Sequence, residues 1–319
     1  MPVTGPTVPL VELVRSGFVE SVHHGSLVVL GADGGMLVER GEHGVPIFPR
    51  STSKPLQAVA MLRAGLDLDG ELLALAASSH SGEPFHLDGV RRLLGSAGLG
   101  VDDLQNTPDL PYDEQERRAY VRADRPASAL AQNCSGKHAG MLAACVAAGY
   151  DTSSYLDPDH PLQELMATTL GDLAGEPVGA IGVDGCGAPV MALSLVGLAR
   201  AFARIATAAP GTPEGRVATA IRDHPRWLGG TRRDVSALIE GVPGLIAKDG
   251  AEAVYAAALP DGRAVALKIA DGSQRARPVV MVAALRAAGV SAAVLDELAE
   301  TPVLGHGRPV GSVRALPLG

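Results

Sequence analysis

The spacing of apolar residues changes along this 319-residue chain from strand-like to helical and back again. Residues 20–41 (ESVHHGSLVVLGADGGMLVERG) hold two apolar runs parted by Asp33-Gly34-Gly35, which predicts an antiparallel hairpin. From Ser51 to about 235 the pattern becomes rich in alanine and leucine at helical spacing. It predicts helices over 54–64, 72–77, 87–95, 137–148, 162–173, 189–206 and 214–223. Short strand-like runs return at 244–248, 253–258 and 263–269, with Asp261-Gly262 as a second hairpin turn, before a helix over 278–288. Sheet segments at both ends of a helical middle imply an α+β fold, whose antiparallel sheet is formed jointly by the N- and C-terminal segments. No internal repeat or linker interrupts the chain, so 1–319 reads as one unit, with a sheet part at about 1–50 and 240–319 and a helical part at about 51–239.

Composition narrows the partners. With 46% hydrophobic and 19% charged residues the chain can bury a large core, and 3% aromatic content leaves aliphatic packing to hold it. A net charge of −8 without a basic run argues against nucleic acid or an acidic membrane surface, and favours a small-molecule substrate. The N-terminus lacks a basic segment followed by an apolar one, and no apolar stretch approaches the roughly 20 residues needed to cross a bilayer, so a cytoplasmic location is expected. Three cysteines, Cys134, Cys145 and Cys186, form no disulfide framework and are expected as thiols or metal ligands.

Chemistry concentrates where polar segments break the apolar background. Ser51-Thr-Ser-Lys54 opens a predicted helix directly after the extended segment Val45–Arg50, with hydroxyl and amine about one turn apart on one face. That is the local geometry of a Ser-Lys nucleophile and base, although Ser51 and Pro55 would equally mark a plain helix start. A lysine acts as a base only after losing its proton, which burial or a second cation promotes. Ala77-Ser-Ser-His-Ser-Gly-Glu-Pro84 is a small-residue loop of hydroxyls around an imidazole, and most of it reads as a capped turn. Asn133-Cys-Ser-Gly-Lys-His138 and Asp184-Gly-Cys-Gly-Ala-Pro189 each precede a predicted helix. Their cysteines are candidates for reactive thiols or for Zn²⁺ ligands, with buried structural cysteines as the alternative because no CxxC or HxxxH pair is present. Cys145 reads as core. Finally, Lys248-Asp249-Gly250 places an amine on a late strand where Gly250 permits close backbone approach to a ligand.

An early SxxK on a helix and a late Lys-x-Gly on a strand resemble the serine penicillin-recognising enzymes, but the middle hydroxyl is not in an SDN triplet and the late motif reads KDG rather than KTG. The segments VELVRSGFVESVHHGSLVVL, PRSTSKPLQAV, SSHSGEPFHLDGV, NCSGKHAGML, DGCGAPVMALSL, AKDGAEAVYAAALP and ALKIADG together resemble the rhizobial-type, thermolabile L-asparaginase family, whose fold is similar to serine β-lactamases and glutaminases. By that resemblance, Ser51 with Lys54 and Ser79 with Lys248 form two catalytic Ser-Lys tandems. Ser78 and Lys268 stand as alternatives to Ser79 and Lys248. Cys134, Lys137 and Cys186 look like zinc ligands, the metal orienting substrate, and Arg50, His138, Asp184 and Gly250 look like substrate contacts. The resemblance implies an L-asparagine amidohydrolase that is a homodimer, with the apolar stretch Val190–Ala201 as a candidate interface. A glutaminase, a β-lactam-recognising hydrolase and a non-catalytic binding protein on the same scaffold are the other readings.

Overall fold

A computed structural model describes residues 5–318. Its strands are β1 (Val8–Arg15), β2 (Phe18–Leu30), β3 (Met36–Arg40), β4 (Ile181–Val183), β5 (Pro189–Met191), β6 (Ile246–Asp249), β7 (Val254–Ala258), β8 (Ala264–Ile269), β9 (Glu300–Gly305) and β10 (Arg308–Ala315). Eight of them form one antiparallel sheet in the order β6-β7-β8-β2-β1-β10-β9, with β3 added to β2. The first and last strands are neighbours, Val11 opposite Ala315 and Leu13 opposite Val313, so the termini close the sheet.

The long β2 holds the sheet together. Its first half pairs with β1 and its second half lies between β3 and β8, and Gly25 stands at the changeover, opposite both Val8 and Ile269. A Cβ at Gly25 would lie 2.4 Å from the Lys268 carbonyl, so glycine is required by the close approach of two strands. The predicted hairpin between β2 and β3 turns at Gly31–Gly35, where Gly34 adopts φ +79° and Asp33 accepts the Gly35 N–H at 2.9 Å.

The helical part begins with α1 (Lys54–Arg63), α2 (Gly70–Ala76), α3 (Pro84–Ser96), α4 (Glu114–Arg122), α5 (Ser135–Ala148) and α6 (Pro161–Ala174). It continues with α7 (Leu195–Thr207), α8 (Pro213–Asp223), α9 (Pro225–Leu228), α10 (Asp234–Gly241), α11 (Ala276–Ala287) and α12 (Ala293–Glu297). Helix α7 packs on β2, β7 and β8, and α11 packs on β8 and β10, so the Val and Leu residues of β2 from Leu27 to Leu30 are fully buried. Each such side chain stabilises the fold by about 1.5–3 kcal/mol. The charged helix α4 carries few apolar residues, burying only Tyr120, and escapes a sequence reading.

Two expectations change. The helix predicted over 189–206 divides: Pro189–Met191 pairs with Ile181–Val183 as a strand, and Ser194 then caps α7, its hydroxyl accepting the Gly197 N–H at 2.9 Å. Cys186 therefore precedes a strand and not a helix. The stretch Val190–Ala201, expected as an interface, is buried within the chain apart from Arg200, because α7 supplies the sheet's cover.

Candidate active site

The segment before α1 is shaped by strain at one residue. Arg50 follows Pro49 with φ +52°, a left-handed conformation that costs a non-glycine residue of order 1 kcal/mol or more. Its guanidinium pairs with Asp184, Nε and Nη2 reaching Oδ1 at 2.8 and 2.7 Å, and this pair holds the conformation. A single 3₁₀ turn, Arg50–Ser53, then feeds α1, with Pro55 in the first turn where its missing N–H is harmless. Ser51, half-buried in this turn, opens onto a cleft of roughly 330 Å³. Ser79, Tyr112, Asn133, Arg233, Asp249 and Gly250 share the cleft wall. A Cβ on Gly250 would meet Thr52 Oγ1 at 2.6 Å and the Pro49 carbonyl at 2.9 Å, so the end of β6 lies directly against the serine-bearing turn.

Lys54 lies behind the cleft, 1% exposed, and its Nζ donates to the Ser78 carbonyl (2.6 Å), Ser79 Oγ (3.1 Å) and Cys134 Sγ (3.2 Å). The amine is thus enclosed by two oxygens and a sulfur. The doubled serine is thereby distinguished: Ser79 Oγ meets the lysine and the cleft, whereas Ser78 Oγ points into the interior without a partner. His80 rivets this loop to the next polar segment. Its N–H donates to the Asn133 carbonyl at 3.1 Å, its Nδ1 accepts from Gly82 N–H, and its Nε2 meets Ser135 Oγ at 2.8 Å. Burial first, then His86 and Lys54, push its pKa well below the usual range, so the ring is neutral.

Below Lys54 the cysteine segments converge. Cys134 Sγ lies 3.2 Å from both Lys54 Nζ and Asn133 Oδ1, and Lys137 Nζ lies 3.3 Å from Cys186 Sγ. The neighbouring Cys186 side chain, aided by Lys54 and Lys137, overcomes burial and holds the Cys134 thiol well below its ordinary pKa, while Cys134 and burial push Cys186 up. Burial opposes the charge on Lys137, but Cys186, Cys134 and Asp184 outweigh it and raise its pKa. Among the described residues no three His, Cys, Asp or Glu side chains gather as metal donors, so any metal set here must include the lysine amine. Two buried sulfurs and an amine suit a thiophilic cation such as Zn²⁺. Asp184 joins Lys137 to Arg50. Burial works against its charge, and Lys137 and Arg50 prevail and keep it ionised.

Lys248 is fully buried on β6, its Nζ donating to the Asp249 carbonyl (2.6 Å) and Asp249 Oδ1 (3.0 Å). Burial lowers its pKa to about 8, with Lys54 and Arg233 adding to the effect and Asp249 opposing it. Ser79 thus takes its hydrogen bond from Lys54, and the hydrogen bonds of Lys248 go to Asp249. Lys268 donates to the Glu252 carbonyl at 2.9 Å and buttresses a turn in which Glu252 and Ala253 both have positive φ. His138 lies fully buried in α5, its Nδ1 bonded to Tyr155 OH at 2.8 Å, and does not line the cleft. Cys145 is buried in the core.

The chain has 4 lysines against 23 arginines, and three of those four, Lys54, Lys137 and Lys248, are buried here. An amine can change protonation or bind a metal at such positions, and a guanidinium cannot. Tyr112, Asn133, Arg233 and Asp249 are cleft residues that sequence reasoning missed. Asn133, at the head of the NCSGKH segment, and Asp249, inside the KDG triplet, carried a signal.

No curated protein sequence matches the chain. Among solved structures it is similar to a β-lactamase from Mycobacterium bovis, with 14% identity, a TM-score of 0.42, and 78% of this chain and 88% of that one covered. It is also similar to EstCE1, a hydrolase with promiscuous acyltransferase activity, at 14% identity and a TM-score of 0.39, over 88% of this chain and 92% of that one. The family profile described as L-asparaginase II matches residues 11–315. With that match spanning nearly the whole chain, the protein belongs to the L-asparaginase II family.

Proposed function

We propose that the protein hydrolyses the side-chain amide of L-asparagine to L-aspartate and ammonia through an ester on Ser51. The observation that carries this reading is the opening of Ser51 and Ser79 onto one cleft, with Lys54 bonded to Ser79 from behind. Ser51 Oγ attacks the amide carbon and its proton passes to the unprotonated amine of Lys54, for which Ser79 is the relay. The Ser51 N–H is the oxyanion donor we assign, since the Gly250 N–H is already committed to the Val254 carbonyl at 2.8 Å. Collapse of the tetrahedral intermediate expels ammonia, which takes its proton from the cationic network of Lys54 and Lys248. Water then attacks the ester carbonyl, gives up a proton to Lys54, and frees aspartate and Ser51. The Arg50 and Asp184 pair adjoins Ser51 without forming part of the cleft wall, and it is the pair of opposite charges we assign to the substrate's carboxylate and ammonium groups.

Cys134, Lys137 and Cys186 would hold Zn²⁺, with Lys137 giving up its proton on binding. Such a cation, when bound, supplies electrostatic orientation of the substrate's polar backbone groups. By family resemblance we take the active form to be a homodimer. No helix among the described residues is long and apolar enough to cross a membrane.

The test is ammonia release from L-asparagine and L-glutamine by the wild type and Ser51→Ala. Release from asparagine that disappears in the variant supports the reading, and near-wild-type turnover by Ser51→Ala overturns the nucleophile. Glutamine differs by one methylene, worth only about 1–3 kcal/mol of discrimination, so both amides are measured side by side.

A further inference from the structure

Asp249 stands between the lysine and the glycine of the KDG triplet, and all its polar contacts are cationic side chains from three elements. Oδ1 accepts from Lys248 of the same strand at 3.0 Å. Oδ2 pairs with Arg277 of α11 at 3.2 Å and with Arg233, which precedes α10. The carboxylate is 3% exposed and lies on the cleft wall. Arg233 in turn donates to the Ser79 carbonyl at 3.2 Å and lies over the Tyr112 ring, and Arg277 pairs with Asp234 at 2.9 Å and lies near the Tyr255 ring. A chain of charges therefore runs from the β6 lysine to the Ser79 loop and on to α11, with Asp249 at its centre. An isolated buried ammonium is costly, and so is an isolated buried carboxylate; here each stabilises the other.

We propose that Asp249 is a positioning residue that fixes the Lys248 ammonium beside the cleft and, through Arg233, ties it to the loop bearing Ser79. The proposal depends on the amidohydrolase reading only for the role of Lys248 in releasing ammonia. The link between Asp249 and Lys248 stands without it. The groups facing Lys248 are Asp249 on its own strand, Lys54 on α1 and Arg233 before α10, and those facing Asp249 are Lys248, Arg233 and Arg277. Removing the carboxylate's charge leaves Lys248 against cations alone. Removing Arg233 leaves Asp249 with one competitor fewer for Lys248. The two changes act on Lys248 in opposite directions, which general loosening of the fold cannot imitate.

Only four lysines are present, so isotope-labelled lysine in the full-length protein yields four side-chain NMR signals, and Lys248→Arg identifies the one from Lys248. Asp249→Asn keeps the shape and an acceptor for Lys248. It is expected to move the Lys248 ionisation from about 8 to a lower pH, by about one unit or more. Arg233→Met is expected to move the same signal upward. With asparagine as substrate, Asp249→Asn is expected to lower kcat about 10–100-fold while KM changes by less than about threefold. An unchanged Lys248 titration in folded Asp249→Asn overturns the proposal whatever the activity. If that variant fails to fold, Arg233→Met decides: a rise supports the coupling, and no change or a fall overturns it. A wild type that releases no ammonia, yet shows both shifts, overturns the amidohydrolase reading and leaves the positioning role of Asp249 in place.

Discussion

The Lys54 amine donates to the Ser79 hydroxyl over 3.1 Å, and this bond joins the helix that follows the serine-bearing turn to a loop 25 residues further along. The same nitrogen reaches Cys134 Sγ at 3.2 Å, so one buried lysine touches both the cleft serine and the cysteine cluster. Any change at Lys54 is therefore felt in both places.

Replacing Lys54 by arginine keeps the positive charge and removes the ability to accept a proton at neutral pH. Lys54→Arg is expected to lose kcat for asparagine about 10²–10⁴-fold, and Ser79→Ala to lose less because Lys54 remains. Steady-state kinetics on the two variants check this ordering. Equal losses would instead make Ser79 an obligatory relay.

Gly250 abuts the serine-bearing turn. In Gly250→Ala the added methyl would meet backbone atoms, the Pro49 carbonyl at 2.9 Å and Thr52 N at 3.1 Å, as well as Thr52 Oγ1. Overpacking of this kind costs about 1–3 kcal/mol. A lowered unfolding midpoint together with a fall in kcat larger than the rise in KM is expected, read by denaturant titration and kinetics.

On the proposed mechanism, activity against pH reports the Lys248 ionisation. The protonated form, which donates toward the departing ammonia, prevails below about 8 and disappears above it. kcat/KM is therefore expected to fall as the pH rises through about 8, and the limb is expected to vanish in Lys248→Met, whose remaining activity is pH-independent there. A limb that survives in Lys248→Met belongs to another group.

The cysteine and lysine cluster predicts a metal effect on binding. Treatment with a strong chelator is expected to raise KM for asparagine about tenfold with kcat little changed, and readdition of Zn²⁺ to restore it. Cys134→Ala and Cys186→Ala should each lose bound zinc in elemental analysis. Full activity and unchanged KM in metal-free protein would refute a functional metal.

Asp184 is the acidic half of the pair that holds Arg50. Asp184→Ala removes the partner of a residue at φ +52° and a carboxylate beside Lys137. We expect KM for asparagine to rise about tenfold or more, with kcat also reduced because Ser51 is the next residue. Asp184→Asn, which keeps a hydrogen-bond acceptor for Arg50, should recover kcat better than KM.

The amino-acid sequence by itself determined the α+β plan, because apolar period and turn residues are local quantities. The hairpin at Asp33-Gly34-Gly35, the late strands ending at Ile269 and the helices around Lys54 and Lys137 lie within a few residues of their predicted bounds. It also singled out Ser51, Lys54, Cys134, Lys137 and Cys186 as candidates, since each stands in a polar break, and the fold gathers them at the cleft and the cluster beneath it. Pro189 to Leu193 was misread because its apolar residues suit helix or strand equally, and only the partner Ile181–Val183 resolves the choice. Tertiary structure alone decided the pairing of side chains: Lys54 with Ser79, Lys248 with Asp249, and Lys268 with the Glu252 turn. Those choices depend on where separate elements meet and which way a long amine points once buried, and neither is encoded in the spacing of residues along one segment. The role of Arg233 was hidden for the same reason: an arginine among 23 looks like surface until the fold encloses it beside Asp249.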